Sequence, residues 1–495
     1  MTTSHADHLF RSWPARPLTA LMAVTALLGA GCAELPFQAA WDPYAAAPPK
    51  PAAPWRGADG KKQPRLASLV EQLDATVQID PDKQHGLADL IDLAQRANPE
   101  TRRAWEDARA AAARLGRTEA DWFPTLAAMA SAGTSRVVEK AGTNIGAPPV
   151  TGPSVTPSLQ LSWLLLDFGR RSNAVEGASW DVINANLSFN RKHQEIAYTV
   201  SRSFYALDAS RARLTAARVT LEQATTVARA VEARLEQGLA TRPELLLAVQ
   251  DRARAAYEVE EAEGFVADAR AALAESIGIS PTMPLKVADL SAVPLPVGLP
   301  AGVEQIIDRA LSRRPDLGAR LATLRAREAE VRRARAEFMP RLRLSTSVGG
   351  DVGHYTFGNS APINYGVMEY TAFLSLDWTI FDGFARQNKV REASAVRGAA
   401  EADLAAFELQ VIRQVWQAYT DVKTSLGKRE FAQALLAAAE EAYGATLESY
   451  ESAGLATVLD LLAARRDLAR AQFTEIQSRA DLLRSAAALV FAAGE

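Results

Sequence analysis

The stretch Gly238-Leu239-Ala240-Thr241 returns as Gly454-Leu455-Ala456-Thr457, an offset of 216 residues, and each copy is followed by an acid and two leucines, Glu244-Leu245-Leu246 and Asp460-Leu461-Leu462. The same offset carries Pro99 to Pro315 and Pro124 to Pro340. Between these anchors the offset is 215: Trp163, Asp167 and Asn173 match Trp378, Asp382 and Asn388, and Val200, Leu207, Leu221 and Leu235 match Val415, Val422, Leu436 and Tyr450. One residue is lost in a loop and regained near Ala453. A unit this long exceeds the roughly 50 residues of a solenoid repeat, so the chain is read as a duplicated domain-sized unit. Whatever one half folds into, the other must fold into as well.

Each half opens on a short apolar helix that stops and restarts at a proline. Leu87, Leu90, Ile91 and Ala94 precede Asn98-Pro99, while Val303, Ile306, Ile307 and Ala310 precede Arg314-Pro315, and proline suits the first turn of the helix that follows. Those second helices run to Trp122-Phe123-Pro124 and Phe338-Met339-Pro340, where proline ends them. The period then becomes two. Leu342, Leu344, Thr346 and Val348 alternate with Arg341, Arg343, Ser345 and Ser347, which predicts a strand. A second strand is expected to carry Ala372, Leu374, Leu376, Trp378 and Ile380 on one face and Ser375, Asp377 and Thr379 on the other. In the first half Leu159, Leu161, Trp163 and Leu165 oppose Ser158, Gln160 and Ser162, preceded by an alanine-rich strand from Thr125 to about Glu139. The expectation is four strands in two hairpins.

From Arg170 to Gln237 no proline intervenes, and an unbroken helix there would be about 100 Å long. Val200, Leu207, Leu214, Leu221, Ala228 and Leu235 recur every seventh residue, which is coiled-coil periodicity, and Val415, Val422, Leu436, Tyr443 and Tyr450 repeat it. Return helices begin after each Gly-Leu-Ala-Thr, so each half ends in a long helical hairpin with its tip at that motif.

The N-terminus reads as a processing signal. Arg11 and Arg16 form a basic region, Leu18 to Leu28 an apolar one, and Gly29-Ala30-Gly31 a small-residue site before Cys32, the chain's only cysteine. Residues 1–31 are therefore expected to be a lipoprotein signal peptide and Cys32 a lipid-attachment site, with Gly29 standing where an aliphatic residue is usual. Residues 32–85, rich in proline and alanine, are expected to be a tether. Repeat one is placed at 86–290 (β-hairpin about 124–168, helical hairpin 170–276), a linker at 291–302, and repeat two at 303–495 (β-hairpin about 341–382, helical hairpin 384–492). Beyond the leader no run approaches the roughly 18 apolar residues of a membrane helix, so any further span must be made of strands. Four strands with one apolar face leave open edges that hydrocarbon does not tolerate. Closure needs other chains: two copies would reach the eight strands of the smallest barrels, and three would give twelve.

With these features the chain resembles the TolC-like outer membrane factors, the exit ducts of tripartite efflux pumps and type I secretion systems. The resemblance covers about residues 86 to 492 and rests on the paired helix-Pro starts, the strand endings Trp163 to Gly169 and Trp378 to Gly383, and the two Gly-Leu-Ala-Thr tips. It implies a mainly α fold with a β-barrel portion: long antiparallel helical hairpins forming an α-barrel tunnel, and four strands per chain in a trimeric twelve-stranded transmembrane β-barrel. It also implies a homotrimer in the bacterial outer membrane, extending into the periplasm and anchored to outer membrane lipid, with a periplasmic adaptor and an inner-membrane pump as partners.

The resemblance assigns the tips. Gly238, Leu239, Ala240 and Thr241, with Gly454, Leu455, Ala456 and Thr457, would dock the adaptor, although a plain hairpin turn accounts for the same residues. Asp460 matches one position of an acidic ring that constricts the tunnel entrance; the other usual aspartate is Ala463 here. Three copies of Asp460 around an axis would favour cations. Yet Thr457 and Asp460, like Thr241 and Glu244, have the spacing of a helix capping box, and both readings stand. Arg466 lies near the same turn, able to pair with a neighbour's acid or simply to meet solvent. Trp163 and Trp378 fit an interfacial aromatic belt, or an ordinary sheet core.

With 55 basic and 58 acidic residues and a net charge of −3, no basic field points to nucleic acid. His85, His193 and His354 are scattered without metal-ligand spacing, and no phosphate-cradling glycine motif occurs, so no catalytic site, cofactor or metal site is expected. Small-molecule efflux is the favoured duty. Protein secretion, metal efflux and a non-pore coiled-coil scaffold are the alternatives, and the scaffold leaves the matched amphipathic hairpins unexplained.

Overall fold

The computed structural model describes residues 42, 44, 47, 50–52, 83–137, 149–281, 283, 285–289, 295, 296, 298, 299, 302–453 and 456–495. Cys32 with the leader, most of the tether, and Gly454 and Leu455 lie outside the described residues. In chain order the elements are β1 (Gln84–His85), α1 (Leu87–Ala97), α2 (Pro99–Glu119), a 3-10 turn (Ala120–Trp122), β2 (Thr125–Val137), β3 (Val150–Leu166), α3 (Arg170–Glu236), α4 (Arg242–Ile277) and β4 (Lys286–Val287). The second half continues with α5 (Val303–Arg313), α6 (Pro315–Ala336), β5 (Arg341–Phe357), β6 (Ile363–Asp377), α7 (Ala385–Glu448), a π-turn (Ser449–Ala453) and α8 (Val458–Ala493).

The duplication is visible atom by atom. Pro99 and Pro315 start α2 and α6, and the residue before each reaches across to the far end of its own return helix: Asn98 Nδ2 donates to the carbonyl of Ser276 (2.9 Å) and Arg314 Nη1 to that of Ala492 (3.4 Å). Around these contacts sit two apolar cores. One joins Leu90 and Ala94 of α1 to Val200, Phe204 and Leu207 of α3 and Leu273 and Ile277 of α4; the other joins Ile306 and Ala310 of α5 to Val411, Val415 and Val422 of α7 and Leu482 of α8. The heptad residues Val200, Leu207, Val415 and Val422 are thus buried as their spacing requires.

α3 runs unbroken for 67 residues, about 100 Å. It packs against α2 and α6 on the sheet side and against α4 and α8 on the tip side, while α7 packs on α6 and then on α8. The order across the chain is therefore α2-α3-α6-α7 next to the sheet and α4-α3-α8-α7 towards the tips, the same lateral order as the strands. The stretch from Asp382 to Gly454 is one residue longer than its counterpart from Asp167 to Gly238, and the excess is housed in the π-turn Ser449–Ala453 that follows α7. That turn is where the sequence offset returns from 215 to 216.

All four long strands form one antiparallel sheet in the order β2-β3-β5-β6, so β3 and β5 join the two hairpins. β3 is longer than the alternation of Ser158 to Leu165 suggests, because it begins at Val150 and contains Pro153 and Pro157. Its pairing to β2 is continuous, whereas its pairing to β5 skips Gly152–Pro153 and Thr156–Pro157, so the missing N–H groups fall on one side only. β2 is described as far as Val137, and Glu139, the expected end, lies outside the described residues. β6 stops at Asp377, which leaves Trp378, Thr379 and Ile380 beyond the strand, contrary to the alternation. Asp377 pairs with Arg341, and the next partner would be Pro340, which has no N–H to continue the ladder.

Candidate functional site: the sheet and the hairpin tips

The sheet has two chemically distinct faces. Leu161 of β3 lies between Leu126 of β2 and Thr346 of β5, and Leu344 lies between Trp163 and Leu374, which builds an apolar face carrying Leu126, Leu159, Trp163, Val348, Leu374 and Leu376 in exposed positions. On β5 this face is continuous from Leu342 to Val352, about 33 Å along the strand and near 25 Å in height at the usual barrel tilt. On the other face Ser158, Gln160 and Ser162 stand opposite Gly349, Ser347 and Ser345, and Ser375 and Asp377 stand opposite Arg343 and Arg341. Thr379, expected on this face, is outside the strand. Among the described residues β2 and β6 have no partner on their outer edges.

Trp163 and Trp378 occupy equivalent places where the sheet meets the helices. Trp163 Nε1 donates to the carbonyl of Trp122 (2.9 Å) and Trp378 Nε1 to that of Phe338 (3.0 Å), while the two residues remain 38% and 60% exposed. Each indole therefore anchors its strand end to the preceding helix and still presents apolar surface outward. Beneath them Asp167 accepts from the backbone and side chain of Arg171, as Asp382 does from Arg386. The guanidinium of Arg171 lies 4.2 Å from the Trp122 ring, and that of Arg386 lies 5.1 Å from the Phe338 ring. Two left-handed residues make each sheet-to-helix corner, Phe168-Gly169 and Gly383-Phe384, in opposite order.

At the first tip Gly238 adopts φ 72°, and Leu239 N donates to the Arg234 carbonyl (2.8 Å), which closes the end of α3. Leu239 itself is 65% exposed and Ala240 is half-buried. Thr241 then caps α4: its backbone N–H donates to Glu244 Oε2 (2.6 Å), and so does its hydroxyl (3.0 Å). At the second tip the Thr457 N–H (3.0 Å) and hydroxyl (2.6 Å) donate to Asp460 Oδ2, and the Asp460 N–H donates back to the hydroxyl (3.2 Å). The Thr457 hydroxyl, with its backbone N–H second, holds the Asp460 carboxyl below the usual carboxylate range. The Thr241 backbone N–H, then its hydroxyl, does the same for Glu244. Both acids thus cap helices and are ionised, Asp460 exposed and Glu244 half-buried. Ala456 is half-buried and packs on the apolar cluster that joins the tips, Val227, Val231 and Ala248 with Tyr450, Val458, Leu461 and Leu462.

Arg466 donates to the Leu462 carbonyl one turn earlier on its own helix (3.1 Å). The stronger feature is its neighbour. Arg465 is 3% exposed; it pairs with Asp251 of α4 and donates to the Thr220 carbonyl of α3 (3.2 Å), so one guanidinium joins three helices. The sequence holds a signal for it, because Val458, Leu461, Arg465 and Leu468 share one helical stripe in which a charge is out of place.

The family model for outer membrane efflux proteins matches the chain twice, over residues 90–279 and 306–495, which repeats the offset of 216. Protein CyaE of Bordetella pertussis is 31% identical over 411 residues, 83% of this chain and 84% of that one. Outer membrane protein OprJ of Pseudomonas aeruginosa is 26% identical over 422 residues, 81% and 82% of the two chains. Among solved structures, a membrane protein from Pseudomonas aeruginosa superposes with a TM-score of 0.71 at 24% identity, covering 82% of this chain and 93% of that one. A twice-matched family profile, a tunnel-length helix pair in each half and a two-faced open sheet agree on one assignment: the chain belongs to the outer membrane efflux protein family, whose members are channels of the bacterial outer membrane rather than enzymes.

Proposed function

We propose that the protein is the exit duct of a tripartite efflux system, a homotrimer that conducts small molecules passively from an inner-membrane pump and a periplasmic adaptor to the exterior. The observation that carries this reading is the sheet: one apolar face, one polar face, and two unpaired edges on β2 and β6. A single copy leaves backbone N–H and C=O groups bare in hydrocarbon, each at a cost of several kcal/mol. Three copies close twelve strands with the hydroxyl-lined face around water.

In this assembly Trp163 and Trp378 sit at the membrane interface, Cys32 carries lipid, and the tips at 238–241 and 454–457 receive the adaptor. Asp460, exposed and ionised beside the tip, contributes three negative charges to the tunnel entrance, and Arg466 lies one to two turns along α8. The test is the mass of the detergent-extracted protein, corrected for bound detergent. Three chains per particle are expected; a stable monomer would overturn the barrel.

A further inference from the structure

The face of the sheet assigned to water in the proposed duct is not evenly polar. The ionised side chains it carries on β2, β3, β5 and β6 fall into two separate groups. At the helix end are Arg341, Arg343 and Asp377; about halfway along the strands are Glu369, opposite Gly349, and Asp351. Between them the facing positions are hydroxyls, glycines, one amide and a few apolar residues, such as Ser345 opposite Ser162 and Ser347 opposite Gln160. The helix-end rim carries two arginines against one aspartate. Three carboxylates just below it are already engaged, Asp167 with Arg171, Asp382 with Arg386 and Glu337 with Lys389.

Arg343 is the centre of this rim. Its guanidinium donates to the Ser162 hydroxyl (3.2 Å), a neutral partner, and its strand neighbours are Leu164 and Ser375. The ladder between β3 and β5 is irregular at this point, with a register shift between Leu164 and Leu166. Such bulges alter the direction in which a side chain projects and mark places where the ladder is interrupted for a purpose.

We propose that Arg343, with Arg341, forms a basic collar where the helical tunnel opens into the barrel, and that this collar selects for solutes carrying a carboxylate, phosphate or sulfonate. The proposal rests on the trimeric duct, in which threefold repetition turns one rim into a ring of six arginines and three aspartates. A ring of one sign in a water-filled constriction concentrates counter-charged solutes. The acidic pair Asp351 and Glu369, near mid-strand, is separated from the collar by the uncharged levels of Ser345 and Ser347, so the two fields act in sequence rather than cancelling at the collar.

The experiment reads local potential and needs no open tip. Ser345→Cys places a thiol on the same face two residues from Arg343, and Cys32 is the only native cysteine, so the wild-type chain supplies the background. Detergent-extracted trimers are labelled with an anionic and a cationic methanethiosulfonate of similar size. The ratio of anionic to cationic rate is expected to fall about fivefold when Arg343→Gln is added, and the effect is expected to shrink at high salt. Arg343→Lys, which keeps the charge, should keep the ratio. A ratio unchanged by Arg343→Gln overturns the collar while leaving the duct intact. A Ser345→Cys thiol no more reactive than one at Leu344→Cys, on the apolar face, overturns the watery lumen and the collar together.

Discussion

Gly278 stands against Asn98. A Cβ built on this glycine would lie 2.7 Å from Asn98 Cα and 2.9 Å from Pro99 Cδ, and its φ is +87°. Its counterpart in the second half, Gly494, with φ +85°, would place a Cβ 2.9 Å from Arg314 Cγ and 3.1 Å from Arg314 Cα. Both glycines end a return helix in the left-handed conformation at the point where the first helices of each half turn over it.

Gly278→Ala and Gly494→Ala should therefore both destabilise, each by about 1–2 kcal/mol from backbone conformation alone. Gly278→Ala should be the worse, because it meets backbone and a proline ring, whereas a flexible arginine stem can yield part of the space at 494. Denaturant midpoints of the two variants check the order; equal midpoints would show that crowding at 278 relaxes freely.

Arg465 and Asp251 form an ion pair that is almost wholly buried. Arg465→Ala should cost about 3–5 kcal/mol, since it leaves Asp251 charged and desolvated, while the double variant Arg465→Met, Asp251→Leu should recover most of that loss. A double-mutant cycle on unfolding midpoints measures the coupling. Additive losses would mean that the two side chains act separately.

The Asp460 cap has a definite pH sign. A carboxyl held below its unfolded range stabilises at pH above that range, and its contribution is lost as pH falls through the folded value. The second tip should thus loosen in acid at pH values below 3.8, the unfolded reference, and hydrogen exchange at Thr457 and Asp460 should report it. Asp460→Asn keeps an acceptor for Thr457 and removes the charge. In bilayer recordings it should lower cation preference or blockage by multivalent cations; unchanged conduction with a folded tip would leave Asp460 as a cap alone.

Replacing Trp378 by phenylalanine keeps the ring and removes the bond to the Phe338 carbonyl. The expected loss is about 0.5–1.5 kcal/mol, and Trp163→Phe should behave alike through Trp122. Thermal melts of both variants, with Trp105→Phe as a comparison away from the sheet, test whether the two halves are anchored equivalently.

Much of this was legible in the residues because the repeat supplies every signal twice. The break at Asn98-Pro99 is confirmed by the one at Arg314-Pro315, and the heptads of α3 by those of α7. The strand core from Arg341 to Val348 follows from alternation alone. The start of β3 was hidden because Pro153 and Pro157 argue against a paired strand, and only the one-sided ladder accommodates them. The end of β6 was misplaced because the pattern through Ile380 alternates well, while the limit is set by Pro340 on the neighbouring strand. Sequence spacing placed both capping boxes, but not Arg465, whose partners lie 214 and 245 residues away. Local pattern carries no information about which distant helix supplies a carboxylate.

A helical stretch that is one residue longer from corner to tip than its twin has two ways to end level with it. It can rotate everything beyond the insertion by about 100°, or it can widen a single turn. The π-turn at Ser449–Ala453 takes the second course, so Val458, Leu461 and Leu462 still meet Val227, Val231 and Ala248. Phase between the two hairpins is thereby preserved although their lengths have drifted apart since duplication. The lower end of α7 is the place where this architecture has absorbed a change in length without turning its packing face away from its neighbour.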